Sequence, residues 1–336
     1  MTGGAKPIVT FGEVLLRLSP PGTERLFQSP ELRAWWGGAE ANVAANLANL
    51  GLAAQHVSVL PDNAVGDAAL GALRGEGVDT RHVVRGGKRV GLYYLESGAG
   101  LRPLRVVYDR AHSAFAELDP SVFDWPVILR DARWLHLSGV SAALGESVVR
   151  CMETAMDAAV ALGVPVSVDL NHRPALWKDR DPRPVMQPLA ARASLLIANP
   201  GAIEIMLGVK TDGAIPEPPA ALQATAERLH ETYGFRRIAL TQREVVSAST
   251  HGWQAHLWDA STKVMHFGGH YSVSLVDRVG GGDAFAAALL HQLLSEVPLD
   301  HAVRFATAAG ALKLTIPGDV NRVRVSDVEQ LLSTPG

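Results

Sequence analysis

The sequence predicts a three-layer α/β fold with a mostly parallel central sheet and a small projecting β-sheet. Two observations carry the central layer. Short apolar runs at 134–139 (WLHLSG), 164–170 (VPVSVDL), 194–200 (SLLIANP) and 236–241 (RRIALT) alternate with segments of helical spacing. Glycines recur near the ends of those runs, which places a ligand site at the carboxyl edge of the sheet. The projecting sheet rests on a third observation: 83–96 and 101–110 read as extended segments joined by the turn-prone SGAG, with no helix between them.

Taken in order, 8–11 (IVTF) is a first strand and 14–18 a second apolar segment, closed by the turn Pro20-Pro21-Gly22. Small and aliphatic residues at helical spacing mark 40–52 as a helix that stops at Gly51. Residues 55–60 read as a strand and 67–77 as a short helix. The paired segments of 83–110 then suggest a sheet able to cover the site. Helices are expected around 147–162 and 219–233, with 214–222 a surface turn before the latter. A second β-rich patch spans about 246–276. The helix from Asp283 and an alanine-rich helix around 299–314 complete the core.

The 336 residues suit one large α/β domain with an insertion, and 47% hydrophobic with 19% charged residues suits an ordered core. Thirty-one basic and 34 acidic residues are well mixed, which argues against a nucleic-acid partner. The lone Cys151, within an apolar-periodic run, excludes an intrachain disulfide and reads as a buried helix residue. With no leader-like start and no membrane-length apolar stretch, the expectation is a cytoplasmic protein away from membranes.

The densest chemical signal is DRVGGGDAFAAALLHQLL, from Asp277 to Leu294. Gly280, Gly281 and Gly282 clear space for backbone N–H groups to converge on an anion at a helix N-terminus. Asp283, next in line, can cap the helix or take a proton from an attacking hydroxyl. Asp277 either shapes cation or water geometry or ends a strand. This arrangement points to phosphoryl transfer, yet P-loop and protein-kinase motifs are absent. His251, His256, His266 and His270 match no familiar metal spacing, and His136 on an apolar strand reads as structural.

A second grouping, Gly37, Gly38 and Asn42, lies between a β segment and a helix. Asn42 there can bond a polyhydroxylated ligand or serve the helix itself. Tyr93, Tyr108 and Arg110 in the projecting sheet suit a hydroxylated, anionic substrate or ordinary sheet packing. Arg173 follows a strand in DLNHRPALW, where Asp169 and Asn171 can orient it and Trp177 packs.

With these residues in view, the chain resembles the PfkB-type, or ribokinase-like, carbohydrate kinases across nearly its full length. The resemblance rests on GGAEANVAANLANLG, beginning at Gly37, and on DRVGGGDAF, where Asp277, Gly280, Gly282 and Asp283 hold the family's recurrent positions. It implies a ribokinase-like domain over 1–336 with a β-sheet lid from insertions within 14–36 and 83–112. It also implies ATP as donor with Mg2+, Asp283 as general base, and an anion hole formed by residues 280–283. On the nucleotide side it implies Asn199, Thr241, Asp277, Gly280 and Gly282. Within the family the chain is most similar to 2-keto-3-deoxygluconate kinases, on DRVGGGDAF, DLNHRPALW and IPGDVN at 316–321. That likeness implies Gly38, Asn42, Tyr93, Tyr108, Arg110 and Arg173 around a sugar acid, with Arg110 and Arg173 on its carboxylate and its terminal hydroxyl at Asp283. A homo-oligomer is a further family-based expectation.

Two departures stand out. The family's Asn-x-x-Glu becomes Asn199-Pro200-Gly201-Ala202, with Glu204 nearby, and its Gly-x-x-Gly turn becomes glycine-free Thr241-Gln242-Arg243-Glu244-Val245-Val246. The competing readings are a fructokinase or ribokinase acting on a neutral sugar, and a sugar-acid binding protein without catalysis. Uncompensated arginines speak against the first. The intact Asp283 and its glycines speak against the second.

Overall fold

Strand residues alternate between two apolar cores, and this period of two stacks the chain into layers. Leu195 and Ile197 face one core while Leu196 and Ala198 face the other; Ile238 and Leu240 are likewise divided from Ala239. The computed structural model describes residues 6–178 and 180–334. Residues 1–5, part of the start read as leader-free, and 335–336 lie outside the described residues.

The strands are β1 (Ile8–Phe11), β2 (Leu15–Ser19), β3 (Arg33–Gly37), β4 (Ala54–Leu60), β5 (Val83–Arg85), β6 (Gly91–Glu96) and β7 (Arg105–Asp109). They continue as β8 (Trp134–Ser138), β9 (Val166–Asp169), β10 (Leu195–Ala198), β11 (Arg237–Val245), β12 (Thr250–Asp259) and β13 (Val264–Ser274). Nine of them form one sheet in the order β13-β12-β11-β10-β9-β8-β1-β4-β5. Pairing is parallel from β11 through β5, and antiparallel where β12 and β13 extend the edge. The β-rich patch of 246–276 therefore belongs to the main sheet.

Helices Glu146–Ala161, Pro200–Leu207 and Pro219–Tyr233 cover one face; Ala39–Asn49, Gly281–Leu294 and Leu299–Lys313 cover the other. Cys151 is fully buried in the first of these, and burial pushes its thiol up to about 12, so it is an inert core residue.

A second sheet of four strands runs β3-β2-β6-β7. β6 and β7 pair antiparallel, as expected, with Tyr93 opposite Tyr108. Val83–Arg85, expected within that small sheet, instead pairs parallel with β4 at the edge of the large one. Its three half-buried residues carry no alternation that would assign them to either sheet. β3 was not foreseen: RAWWG is a short edge strand with two exposed residues, too brief to show a period.

β1 has β4 on one side and β8 on the other, so the winding direction of the sheet reverses beside it. A crevice outside the carboxyl ends of the strands opens at such a reversal. No helix among the described residues is long and apolar enough to cross a membrane.

Candidate active site

The ends of β9, β10 and β11, the small sheet and the start of helix Gly281–Leu294 enclose a cavity of about 380 Å³. Gly38, Asn42, Tyr93, Tyr108, Arg110, Arg173, Asn199, Thr241, Gly280, Gly281, Gly282 and Asp283 all line it, so residues far apart in the chain meet in one place.

The three glycines have separate tasks. Gly280 precedes the helix with φ 82, in the left-handed region, and a Cβ there would lie 2.3 Å from the Asp319 carbonyl oxygen. A Cβ on Gly281 would press to 2.9 Å against Leu314. At Gly282 a Cβ would meet nothing within 4 Å, so this glycine leaves its backbone open to the cavity. Together they present the helix N-terminus, with its unpaired N–H groups and positive dipole end, to whatever enters.

Asp283 is in the first turn of that helix and accepts a 2.7 Å hydrogen bond from Asn42 Nδ2. Asn42 is buried one turn into helix Ala39–Asn49, which starts at Gly38 with φ 133; a Cβ on Gly38 would strike the Glu13 carbonyl oxygen at 2.1 Å. The two glycine motifs thus position one amide–carboxylate contact. Burial pushes Asp283 up to about 6, against the opposing pull of Asn42 and Arg173. Asp169, at the end of β9, is pushed up to about 7 by burial and then by the charge of Asp283. A proton acceptor with a pKa near 6 beside an anion cradle is poised to accept a proton near neutral pH.

Arg110 lines the cavity, but its Nε donates to Glu13 Oε2 at 2.6 Å, and both side chains are buried. The expectation that Arg110 needs a ligand anion for compensation is thereby corrected: Glu13 supplies the charge. Arg173 is exposed and reaches no carboxylate within salt-bridge distance among the described residues; its Nη1 donates to the His172 carbonyl at 3.3 Å.

Asp277 also departs from expectation. Arg17 Nη1 and Nη2 donate to its two oxygens at 3.2 and 2.7 Å, and the N–H groups of Val279 and Gly318 donate to them as well. Asp277 therefore braces the glycine loop from beneath, and it is not among the residues that line the cavity. Arg17 Nε lies 3.1 Å from Asp319 Oδ2, and Tyr93 donates its hydroxyl proton to Asp319 Oδ1. This buried network ties β2 and β6 of the small sheet to the loop that holds the anion cradle. Removing one partner from a buried pair of this kind costs about 3–5 kcal/mol, because the other charge is left uncompensated.

Asn199 Oδ1 accepts from the Ala202 N–H at 2.9 Å and caps helix Pro200–Leu207; its amide still borders the cavity. Thr241 Oγ1 lies 3.5 Å from the Ala198 carbonyl oxygen. Glu204 is exposed and is not a lining residue, so it does not stand in for the family glutamate. His136 bonds Ser167 at 2.8 Å within the sheet, and Trp177 is buried, both as structural residues.

Sequence reasoning missed several lining groups: Asp319, Arg243, Arg278 and His251. Arg278, Arg243 and Asp319 sit inside segments already quoted and His251 in the histidine set, but the β11–β12 pairing that brings Arg243 and His251 to the cavity leaves no local pattern.

A family model described as pfkB family carbohydrate kinase matches residues 5–324. The crystal structure of a 2-dehydro-3-deoxygluconokinase from Thermotoga maritima superposes with a TM-score of 0.94 at 43% identity, covering 98% of this chain and 99% of that one. A 2-dehydro-3-deoxygalactonokinase from Haloferax volcanii is 31% identical over 97% of this chain and 96% of its own length. A fructokinase with bound ATP from Xylella fastidiosa shares the fold, with a TM-score of 0.79 at 23% identity over 97% of this chain and 98% of that one. Ribokinase-like architecture, glycine cradle and matched length agree: the chain belongs to the pfkB family of carbohydrate kinases.

Proposed function

We propose that this kinase transfers the γ-phosphoryl group of ATP to the terminal hydroxyl of 2-keto-3-deoxygluconate, giving the 6-phosphate. The observation that carries the reading is Asp283, a carboxylate held by Asn42 at the mouth of a glycine-built helix N-terminus inside one cavity. Asp283 accepts the hydroxyl proton as the new O–P bond forms and the bond to the nucleotide diphosphate breaks. The N–H groups at residues 280–282 offset charge on the phosphoryl oxygens.

The sugar acid lies between the small sheet and the large one, with Tyr93, Tyr108 and Asn42 toward its hydroxyls and Arg173 toward its carboxylate. Arg110, balanced by Glu13, offers its remaining N–H groups. The names of the Thermotoga and Haloferax relatives support a keto-deoxy sugar acid, and the Haloferax name makes the galacto epimer the specific second reading.

Mg2+ fits this cavity as a cation carried on the phosphates. Of the lining carboxylates, Asp319 is engaged by Arg17 and Tyr93, so Asp169 and Asp283 are those that would hold its water, and such ions need only one or two protein carboxylates. When bound, it neutralises phosphate charge.

The product tests the reading. ATP, Mg2+ and 2-keto-3-deoxygluconate are expected to yield a phosphoester coupled by NMR to the C6 protons. A phosphate at any other carbon refutes the placement of the terminal hydroxyl at Asp283.

A further inference from the structure

Where this fold buries arginine, it supplies a carboxylate: Arg17 has Asp277 and Asp319, and Arg110 has Glu13. Arg243, exposed at the cavity end of β11, and the half-buried Arg278 are given none. Both line the active-site cavity, and neither has a carboxylate or a side-chain hydrogen-bond partner among the described residues. They arrive from different elements, Arg243 on β11 opposite Trp253 and Arg278 two residues before Gly280. The brace at Asp277 fixes the backbone beside Arg278. Partial desolvation by the cavity wall, then the charges of Arg278 and Arg173, lower the pKa of Arg243, and desolvation and Arg173 lower that of Arg278 as well. Three cations thus crowd one wall, an arrangement that a polyanion relieves.

The same wall explains the glycine-free stretch after Thr241. β11 runs unbroken to Val245 and pairs with β12 along its length, from Arg237 opposite Asp259 to Val245 opposite His251. A strand committed to such a ladder has fewer backbone N–H groups to turn toward an anion, whereas guanidinium groups reach one from the side chain.

We infer that Arg243 and Arg278 clamp the polyphosphate chain of the donor nucleotide, supplying by side chain what a glycine turn supplies by backbone. This rests on the phosphoryl-transfer reading of the site. Arg278 stands two residues before Gly280 and shares the cavity with Arg243, which favours phosphate over the sugar carboxylate as the anion they hold.

Inorganic tripolyphosphate and 2-keto-3-deoxygluconate, titrated separately by calorimetry into wild type, R243Q, R278Q and R243K, test the clamp. Each glutamine variant is expected to weaken tripolyphosphate binding about tenfold, as loss of a charge-assisted contact does, while binding of the sugar acid stays within about twofold. R243K is expected to recover part of the affinity, which separates lost charge from lost fold. Unchanged tripolyphosphate affinity, no tripolyphosphate binding by wild type, or a loss confined to the sugar acid overturns the inference. A wild type that binds tripolyphosphate through both arginines yet phosphorylates no sugar acid retires the proposed substrate and leaves the clamp standing.

Discussion

Asp283→Asn is expected to lower kcat by about three orders of magnitude, the middle of the range for loss of a positioned base. The substitution keeps size and shape in the first turn of helix Gly281–Leu294 and leaves an oxygen to accept from Asn42 Nδ2, so the fold should persist. What it removes is the proposed proton acceptor. Wild-type kcat/KM is expected to rise with pH up to about 6 and then level, because burial holds Asp283 near that value and only its ionised form accepts the proton. Asp169, near 7 and coupled to Asp283 by charge, broadens that limb, so the profile belongs to the pair. D283N should lose the limb along with the rate. A variant that turns over like wild type would place the base elsewhere.

Gly280→Ala is expected to be nearly as damaging for a different reason. Its φ of 82 disfavours any side chain, and the new methyl would lie 2.3 Å from the backbone oxygen of Asp319 and 3.1 Å from Lys313 Cε. Backbone on one side and a fully buried lysine on the other leave little room to yield. The loop must shift, and the N–H groups of the cradle shift with it. Loss of one such donor typically costs about 10²–10³ in kcat. Gly282→Ala is the internal comparison, since its Cβ meets nothing within 4 Å and its φ is ordinary. Thermal melts should show G280A destabilised and G282A close to wild type. Equal stability and turnover in G280A would show that the loop does not depend on the left-handed turn.

The parallel core was legible because each strand buries a short apolar run and each helix repeats its apolar face, and both periods are local properties of the chain. The cradle was legible for a similar reason: glycines, aspartate and helix are contiguous. What escaped was set by distance along the chain. Glu13 and Arg110 pair across ninety-seven positions, so Arg110 looked uncompensated when read alone. Asp277 looked like a ligand contact until Arg17 took both its oxygens. A signal for this network did exist. Arg17 interrupts the apolar segment LLRLS, and Lys313 ends an alanine-rich helix, yet both are buried. A charge within an apolar stretch calls for a buried partner. The partners themselves, Asp277 and Asp319, emerge only when the small sheet folds over the glycine loop.

Phosphorylation of a sugar acid in this cavity is a prediction about relative specificity constants. With ATP and Mg2+, kcat/KM for 2-keto-3-deoxygluconate is expected to exceed that for fructose, ribose or adenosine by about tenfold or more, the scale of one charge-assisted hydrogen bond to its carboxylate. A neutral sugar that matches or surpasses the keto-deoxy acid would show that the cavity does not select for a carboxylate.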